Sequence, residues 1–164
     1  MKIQNNPEKR EKSIEIQRGA IEHRAIWMYL LMDEARKRGL DWDGFARSAI
    51  LRCGHFHGTT KFPRTESLEK FGIAFATEEL KKVFDMDVVA CNDDEFIVEF
   101  HYCPLLTGWL TQTDNLEDLE KLCDIAMEGD RGIVAEYPSF AFDLQSTIAR
   151  GDKVCRVVIS RDRS

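Results

Sequence analysis

The hydrophobic pattern of the chain changes near its middle. In the first half, apolar residues recur every three to four positions, which is the period of a helix with one buried face. This spacing predicts a long helix from about Pro7 to Arg38, with Asn6 as its N-cap and Pro7 at its first position. Gly19 is a weak point where this helix could break, and Gly39 stands where a helix-ending glycine is expected.

Two further helical segments are predicted before the pattern changes. The second carries Phe45, Ala49 and Ile50 and is expected to end in a loop over residues 53–58, which contain two glycines. The third begins near Thr65 and continues, with an interruption at Gly72, to Phe84.

In the second half, apolar and polar residues alternate, which is the period of a strand with one buried face. Strands are predicted over residues 87–91, 95–102, about 140–148 and 153–160, with turns at 92–94 and 150–152. A short helix over 105–110 and a longer helix after Asp114 and Asn115 lie between the two strand pairs. The longer helix has an apolar stripe of Leu116, Leu119, Leu122, Cys123, Ala126 and Met127.

This order of elements predicts an α+β fold in one domain spanning residues 1–164. Residues 1–85 are expected to be mainly helical, and residues 86–164 to be rich in strands with one or two helices. Because neighbouring strands are joined by short turns, the two hairpins should form a small antiparallel sheet packed by helices.

Composition narrows the range of functions. Apolar residues make up 43% of the 164 residues and charged residues 32%, as in globular proteins. The formal net charge of −6, with no basic stripe, argues against a nucleic-acid partner. No apolar run reaches the ~20 residues of a membrane span, and the N-terminus has no signal-peptide core. We therefore expect a cytoplasmic protein without a membrane partner, whose five cysteines are not a disulfide framework.

Four groups of residues could carry chemistry, and each also has a purely structural explanation. The phosphate-loop, dinucleotide, zincin and nucleophile-elbow motifs are absent. The candidate groups are Cys53 with His55 and His57, the strand end His101-Tyr102-Cys103-Pro104, Cys123 with Asp130 seven residues later, and the turn from Thr147 through Arg150 to Cys155. A cysteine just before a helix can have its thiolate stabilised by helical N–H groups, which draws attention to Cys103.

Taken in order, these motifs resemble a known family. The order is Tyr102-Cys103-Pro104-Leu105, then Trp109, then Leu122-Cys123 with Asp130, then Thr147-Ile148-Ala149 followed by Gly151-Asp152 and Cys155. This arrangement is similar to that of the L-2-amino-thiazoline-4-carboxylic acid hydrolase family. The resemblance implies a small cytoplasmic hydrolase that opens a thiazoline ring to give an N-carbamoyl cysteine.

The resemblance also implies a set of site residues. The recurrent cysteines and acid of the family map to Cys103, Cys123, Asp130 and Cys155. In our first hypothesis Cys103 is the nucleophile, with Asp130 or His101 as base and acid. The expected catalytic residues are Cys103, Asp130, His101, Cys123 and Cys155, and the expected substrate-binding residues are Trp109, Tyr102, Thr147 and Arg150.

Two alternatives use the same residues. The thiol mechanism above needs no cofactor, whereas in the first alternative the cysteines, with His101 or Asp130, hold a zinc ion that activates water. In the second, the chain is a sensor domain that binds a small ligand or a metal at the cysteine cluster without turnover. A homo-oligomer is a further expectation, in which Ile21, Ala25, Met28 and Met32 contact a second chain, although core packing explains this stripe equally well.

Overall fold

The part of the chain that the computed structural model describes, residues 3–161, forms seven α-helices and four β-strands. The helices are α1 Lys12–Lys37, α2 Trp42–Thr60, α3 Leu68–Phe75, α4 Glu78–Val83, α5 Pro104–Leu110, α6 Leu116–Ala126 and α7 Glu128–Val134. The strands are β1 Met86–Cys91, β2 Glu95–Phe100, β3 Phe140–Ser146 and β4 Cys155–Arg161. They form one antiparallel sheet in the order β1-β2-β4-β3, which confirms the α+β prediction.

The register of the central strands decides which side chains face the core. Phe100 pairs with Cys155, and Val98 pairs with Val157, so Cys155 shares the buried face of the sheet. Glu99 pairs with Arg156 on the opposite face. His101 continues the alternation of Glu99, which places it away from the face of Cys155.

Two apolar clusters lie on the helical side of the sheet. The first packs α3, the end of α7 and the residues after it on the sheet, and its aromatic rings include Phe71, Phe96 and Tyr137. The second joins α1, α5 and α6 and includes the fully buried Trp109 together with Cys123 and Cys155. Phe100 touches both clusters, so the beginning of β4 lies where they meet.

The first helix begins later than predicted. It starts at Lys12, and its N-cap is Glu11, so the expected cap at Asn6 and helix start at Pro7 are wrong. The preceding residues contact other elements instead: the Glu8 amide donates to Asp85 Oδ2 over 2.7 Å. Gly19 does not break the helix.

The second helix does not end at residues 53–58, as its glycines had suggested, but continues to Thr60. Gly54 and Gly58 are buried against α7, where a Cβ on Gly54 would overlap the Gly129 carbonyl and lie 2.8 Å from the Gly132 Cα. The glycines therefore let two helix backbones approach closely, which is a tertiary use that local propensity does not reveal.

Other element ends also differ from the prediction. The break between α3 and α4 falls at Ala76 and Thr77, not at Gly72, which lies inside α3 against Phe96. Helices α6 and α7 are separate, so Cys123 and Asp130 do not lie on one continuous helix. The connection from β3 to β4 is longer than a tight turn and contains a 3-10 turn, Ile148–Arg150. Within residues 3–161, none of the helices has the length and apolar character needed to cross a membrane.

Candidate active site

Three of the five cysteines come together from distant parts of the chain. Cys103 is the N-cap residue of α5, Cys123 lies in α6, and Cys155 is the first residue of β4. All three belong to or pack against the second apolar cluster. Cys123 and Cys155 are buried, whereas Cys103 is only half-buried. The fold therefore creates a thiol cluster, and Cys103 is its most accessible member.

Cys155 has the environment of a thiolate. The Cys123 thiol donates a hydrogen bond to its sulfur, which lowers the pKa of Cys155 below the usual value although burial acts to raise it. The Ile148 amide also donates to Cys155 Sγ over 3.2 Å. Donating to a neighbouring sulfur and being buried both raise the pKa of Cys123, so Cys123 keeps its proton. When the pair ionises, the first proton is therefore lost from Cys155.

Cys103 is held as a neutral thiol. Burial, reinforced by the nearby Cys155, raises its pKa to about 12. The amides of Leu105 and Leu106 at the start of α5 and the charge of Arg24 act in the opposite direction but do not outweigh burial. The N–H groups of the helix terminus thus lower the pKa of Cys103, as expected. Burial in a low dielectric environment raises this pKa by more, so the thiol stays protonated.

Asn5 holds the backbone of Cys103 from both sides. Its Oδ1 accepts a hydrogen bond from the Cys103 amide at 2.8 Å, and its Nδ2 donates to the Cys103 carbonyl at 2.9 Å. The same Nδ2 lies 2.9 Å from Thr107 Oγ1, one turn further along α5. An isolated asparagine near a chain end carries no pattern that sequence reasoning could use, so this residue was missed.

Tyr102 is buried beside Cys103 and connects α5 to α1. Its hydroxyl donates to Glu22 Oε1 over 3.3 Å and accepts from Thr107 Oγ1 at 2.9 Å. The guanidinium of Arg18, which is 1% exposed, lies 4.6 Å from the centre of the Tyr102 ring. Arg18 in turn pairs with the buried Asp85 at 3.3 Å. These contacts fix the loop that carries Cys103.

The other predicted substrate-binding residues have identifiable surroundings. Trp109 is fully buried in the second apolar cluster, and its Nε1 has no hydrogen-bond partner in residues 3–161. Thr147 is buried and caps the 3-10 turn by accepting from the Arg150 amide. The Arg150 side chain is exposed and pairs with Glu120 at 2.8 Å. Thr147 therefore shapes the loop that presents the Ile148 amide to Cys155.

The two candidate acid–base residues lie in different environments. His101 is half-buried and its Nε2 lies 3.0 Å from Asp87 Oδ2, on the outer face of the sheet. Asp130 lies on α7, and burial raises its pKa to about 6 even though Arg131 acts to lower it. The Arg131 side chain is bonded to Asp124 and Glu128, and the Asp130 carboxyl has no hydrogen-bond or ion-pair partner among the described residues. The pKa of Asp130 is therefore perturbed by burial and not by a carboxyl or hydrogen-bond partner.

Cys53, His55 and His57 do not form a common site. They lie on the continuous helix α2, where alternate residues point in different directions. Cys53 is exposed, His55 Nδ1 lies 2.6 Å from Glu136 Oε1, and burial together with Lys61 and Arg24 lowers the pKa of His57.

Two further features concern ligands. Among residues 3–161, no three His, Cys, Asp or Glu side chains are arranged to hold a metal ion, so the zinc alternative stays a prediction. Two surface pockets have volumes of about 480 and 300 Å³. The larger lies at Arg64 and Tyr137 and the smaller at Gly72 and Cys91, and neither is lined by the three clustered cysteines.

Comparison with known families identifies the family of the chain. The model of the L-2-amino-thiazoline-4-carboxylic acid hydrolase family matches residues 18–159. The chain belongs to this family. The matched range contains Cys103, Cys123, Asp130 and Cys155, whereas Asn5 lies outside it. A comparison with curated proteins gave no match.

Proposed function

We propose that this member of the family is a hydrolase that opens a small thiazoline carboxylate, or a related cyclic amidine, with Cys155 as its nucleophile. The observation that carries the proposal is the acidified Cys155, which receives hydrogen bonds from Cys123 and from the Ile148 amide. The family description supplies the hydrolase class and the thiazoline. The contrast between the lowered pKa of Cys155 and the raised pKa of Cys103 favours Cys155 over our first choice.

The reaction can be written so that every atom is accounted for. The Cys155 thiolate adds to the ring carbon between nitrogen and sulfur, and the bond from that carbon to the ring sulfur breaks. We assign the proton for the departing sulfur to Asp130, because a carboxyl with a pKa of about 6 suits a general acid. Water then adds to the same carbon, giving one proton to Asp130 and the other to the former ring nitrogen, and the Cys155 thiolate leaves as the carbonyl forms. The net change is addition of one water to give N-carbamoyl cysteine.

The substrate carboxylate requires a cation, and Arg24 meets this requirement better than Arg150. The charge of Arg24 lowers the pKa of both Cys103 and His57, so Arg24 lies within electrostatic range of the cluster. Helix α1, which carries Arg24, packs closely on α5 at the neighbouring Ala25, because a Cβ added to Gly108 would lie 3.0 Å from the Ala25 Cβ. Arg24 has no hydrogen-bond or ion-pair partner within the described residues, whereas Arg150 is already paired with Glu120. We assign Arg24 the carboxylate-binding role.

The direct test is release of thiol from L-2-amino-thiazoline-4-carboxylate, with the product identified by mass spectrometry. We expect turnover by the wild type, and an increase in KM of about ten- to a hundredfold in Arg24→Gln with a smaller effect on kcat. The ring lacking the carboxylate should be hydrolysed equally by wild type and Arg24→Gln, while Arg150→Gln serves as the matched control. Absence of hydrolysis of any thiazoline or cyclic amidine would refute the proposal.

The sensor alternative uses the same cysteine cluster. Two of its three thiols are buried, which limits the access of a substrate to their sulfur atoms. A sensor would bind the same small molecule or a metal ion without consuming it. Saturable calorimetric binding of the thiazoline, with the ligand recovered unchanged, would favour this function over hydrolysis.

A further inference from the structure

The outward face of α1 carries a regular row of exposed residues. They are Lys12, Ile16, Ala20, His23, Trp27, Leu31 and Glu34, which we call the outer stripe. Steps of three and four residues keep all of them on one side of the helix. The opposite side is buried and includes Ala25 and Met32, so the stripe that we first expected at a chain contact packs largely in the core.

The apolar members of the outer stripe are unusually exposed. Ile16 is 66% exposed, Trp27 63% and Leu31 68%. Among the described residues, the one aromatic contact of the Trp27 ring is a T-shaped contact with the His23 ring, with centroids 5.3 Å apart. Single exposed apolar side chains are common, but a row of them along one helix marks a contact surface.

The outer stripe is complementary to the outer stripe of a second copy whose α1 helix runs in the opposite direction. If a two-fold axis passes between His23 and Arg24, Ile16 faces Leu31 of a second copy and Ala20 faces Trp27 of that copy. The small Ala20 leaves room for the indole, and the two aliphatic side chains pack at each end. Such matching of a surface with itself is the requirement for a two-fold dimer. We infer that two copies of this chain associate through antiparallel α1 helices.

Charge at the ends of the stripe selects the antiparallel orientation. In that orientation Lys12 faces Glu34 of the second copy at both ends. In a parallel pair Lys12 would face Lys12 and Glu34 would face Glu34, which is unfavourable. Lys12 has no ion-pair partner among residues 3–161, and Glu34 makes only contacts of 3.4 and 3.5 Å to Lys37 and Arg38 of its own helix.

The helix is large enough to support such a contact. A helix of 26 residues is about 39 Å long. A stable dimer buries about 800 Å² per partner, and a single aromatic side chain contributes roughly 150–250 Å².

Sedimentation equilibrium of the full chain tests the dimer. The wild type should have twice the chain mass of 18.9 kDa, and Trp27→Glu should be monomeric with an unchanged circular dichroism spectrum. Ile73→Glu changes a residue of similar exposure, 64%, on α3 and should leave the dimer intact. A monomeric wild type, or a Trp27→Glu variant that remains dimeric, overturns the proposal.

A charge exchange tests the orientation. Lys12→Glu places two carboxylates opposite each other at both ends and should raise the dimer Kd by about two- to tenfold. Adding Glu34→Lys restores opposite charges in the antiparallel pair, so the double variant should recover the wild-type Kd. A double variant that dimerises no better than Lys12→Glu contradicts the antiparallel arrangement.

Discussion

At the scale of single residues, burial and local donors give chemically identical groups different acidities. Cys103 and Cys155 lie in the same cluster, yet burial raises the pKa of one to about 12 while a thiol donor lowers the pKa of the other. Asp130 differs from the surface aspartates because burial raises its pKa to about 6. These differences in pKa depend on tertiary contacts. The sequence could therefore identify the candidate residues but could not assign their roles.

The first prediction concerns the acidity of Cys155. Its thiolate should form at a pH below the ordinary cysteine value of 9.0, and Cys123→Ala should move this step to higher pH because the S–H donor is lost. The ultraviolet absorbance of the thiolate, followed as a function of pH, measures this ionisation and needs no reagent to enter the core. The thiol ionisation that occurs at the lowest pH should disappear in Cys155→Ser. It should be unchanged in Cys53→Ser, which replaces an exposed cysteine. An unshifted step in Cys123→Ala would contradict the assignment.

The second prediction concerns Asp130. Its folded pKa of about 6 exceeds the ordinary value of 3.8, so the folded state binds the proton more tightly. The contribution of Asp130 to stability is therefore most favourable below about pH 4 and is lost as pH rises through about 6. Asp130→Asn should raise the free energy of unfolding at pH 7.5 by about 2–3 kcal/mol, with little gain at pH 4.

Denaturant unfolding at both pH values checks this prediction, with Asp143→Asn on an exposed position of β3 as the control. The same Asp130→Asn variant should turn over substrate about a hundredfold or more slowly, because it cannot transfer the proton. Greater stability combined with lower activity is expected of a functional residue. A variant that is less stable at pH 7.5 would show that Asp130 has structural partners in solution.

At the scale of helices and strands, the periodic pattern predicted the existence of most elements but not all of their ends. The strands and the start of α6 agree closely with the alternation and capping signals. The start of α1 and the end of α2 were wrong because distant contacts outweigh local signals there. The segment before α1 bonds to Cys103 through Asn5, and Gly54 in α2 packs on α7.

The third prediction compares two helical glycines. Gly54→Ala should destabilise the fold by about 1–3 kcal/mol, because its Cβ would overlap the Gly129 backbone carbonyl between two packed helices. Gly19→Ala, in α1, should stabilise the fold by about 0.5–1 kcal/mol because no atom lies within 4 Å of the added Cβ. Urea unfolding of the two variants gives both values. If both variants changed the free energy of unfolding by the same amount, α2 and α7 would not be in close contact.

At the scale of the whole molecule, the fold brings together groups that are far apart in sequence. The order of motifs in the second half was enough to recognise the family, which the match over residues 18–159 establishes. The sequence could not reveal that Asn5 supports Cys103, that Arg24 lies near the thiols, or that His101 lies on the outer face of the sheet. Each of these facts depends on how α1 and the sheet pack, which no local pattern encodes.

The most direct test of the account is the rate of thiazoline hydrolysis in two isosteric variants. Cys155→Ser should lose turnover by a factor on the order of a thousand or more, because it lacks the acidic thiol. Cys103→Ser, which replaces a group that remains protonated, should retain activity within about tenfold of the wild type. Loss of turnover in Cys103→Ser with full activity in Cys155→Ser would contradict the assignment of Cys155 as the nucleophile.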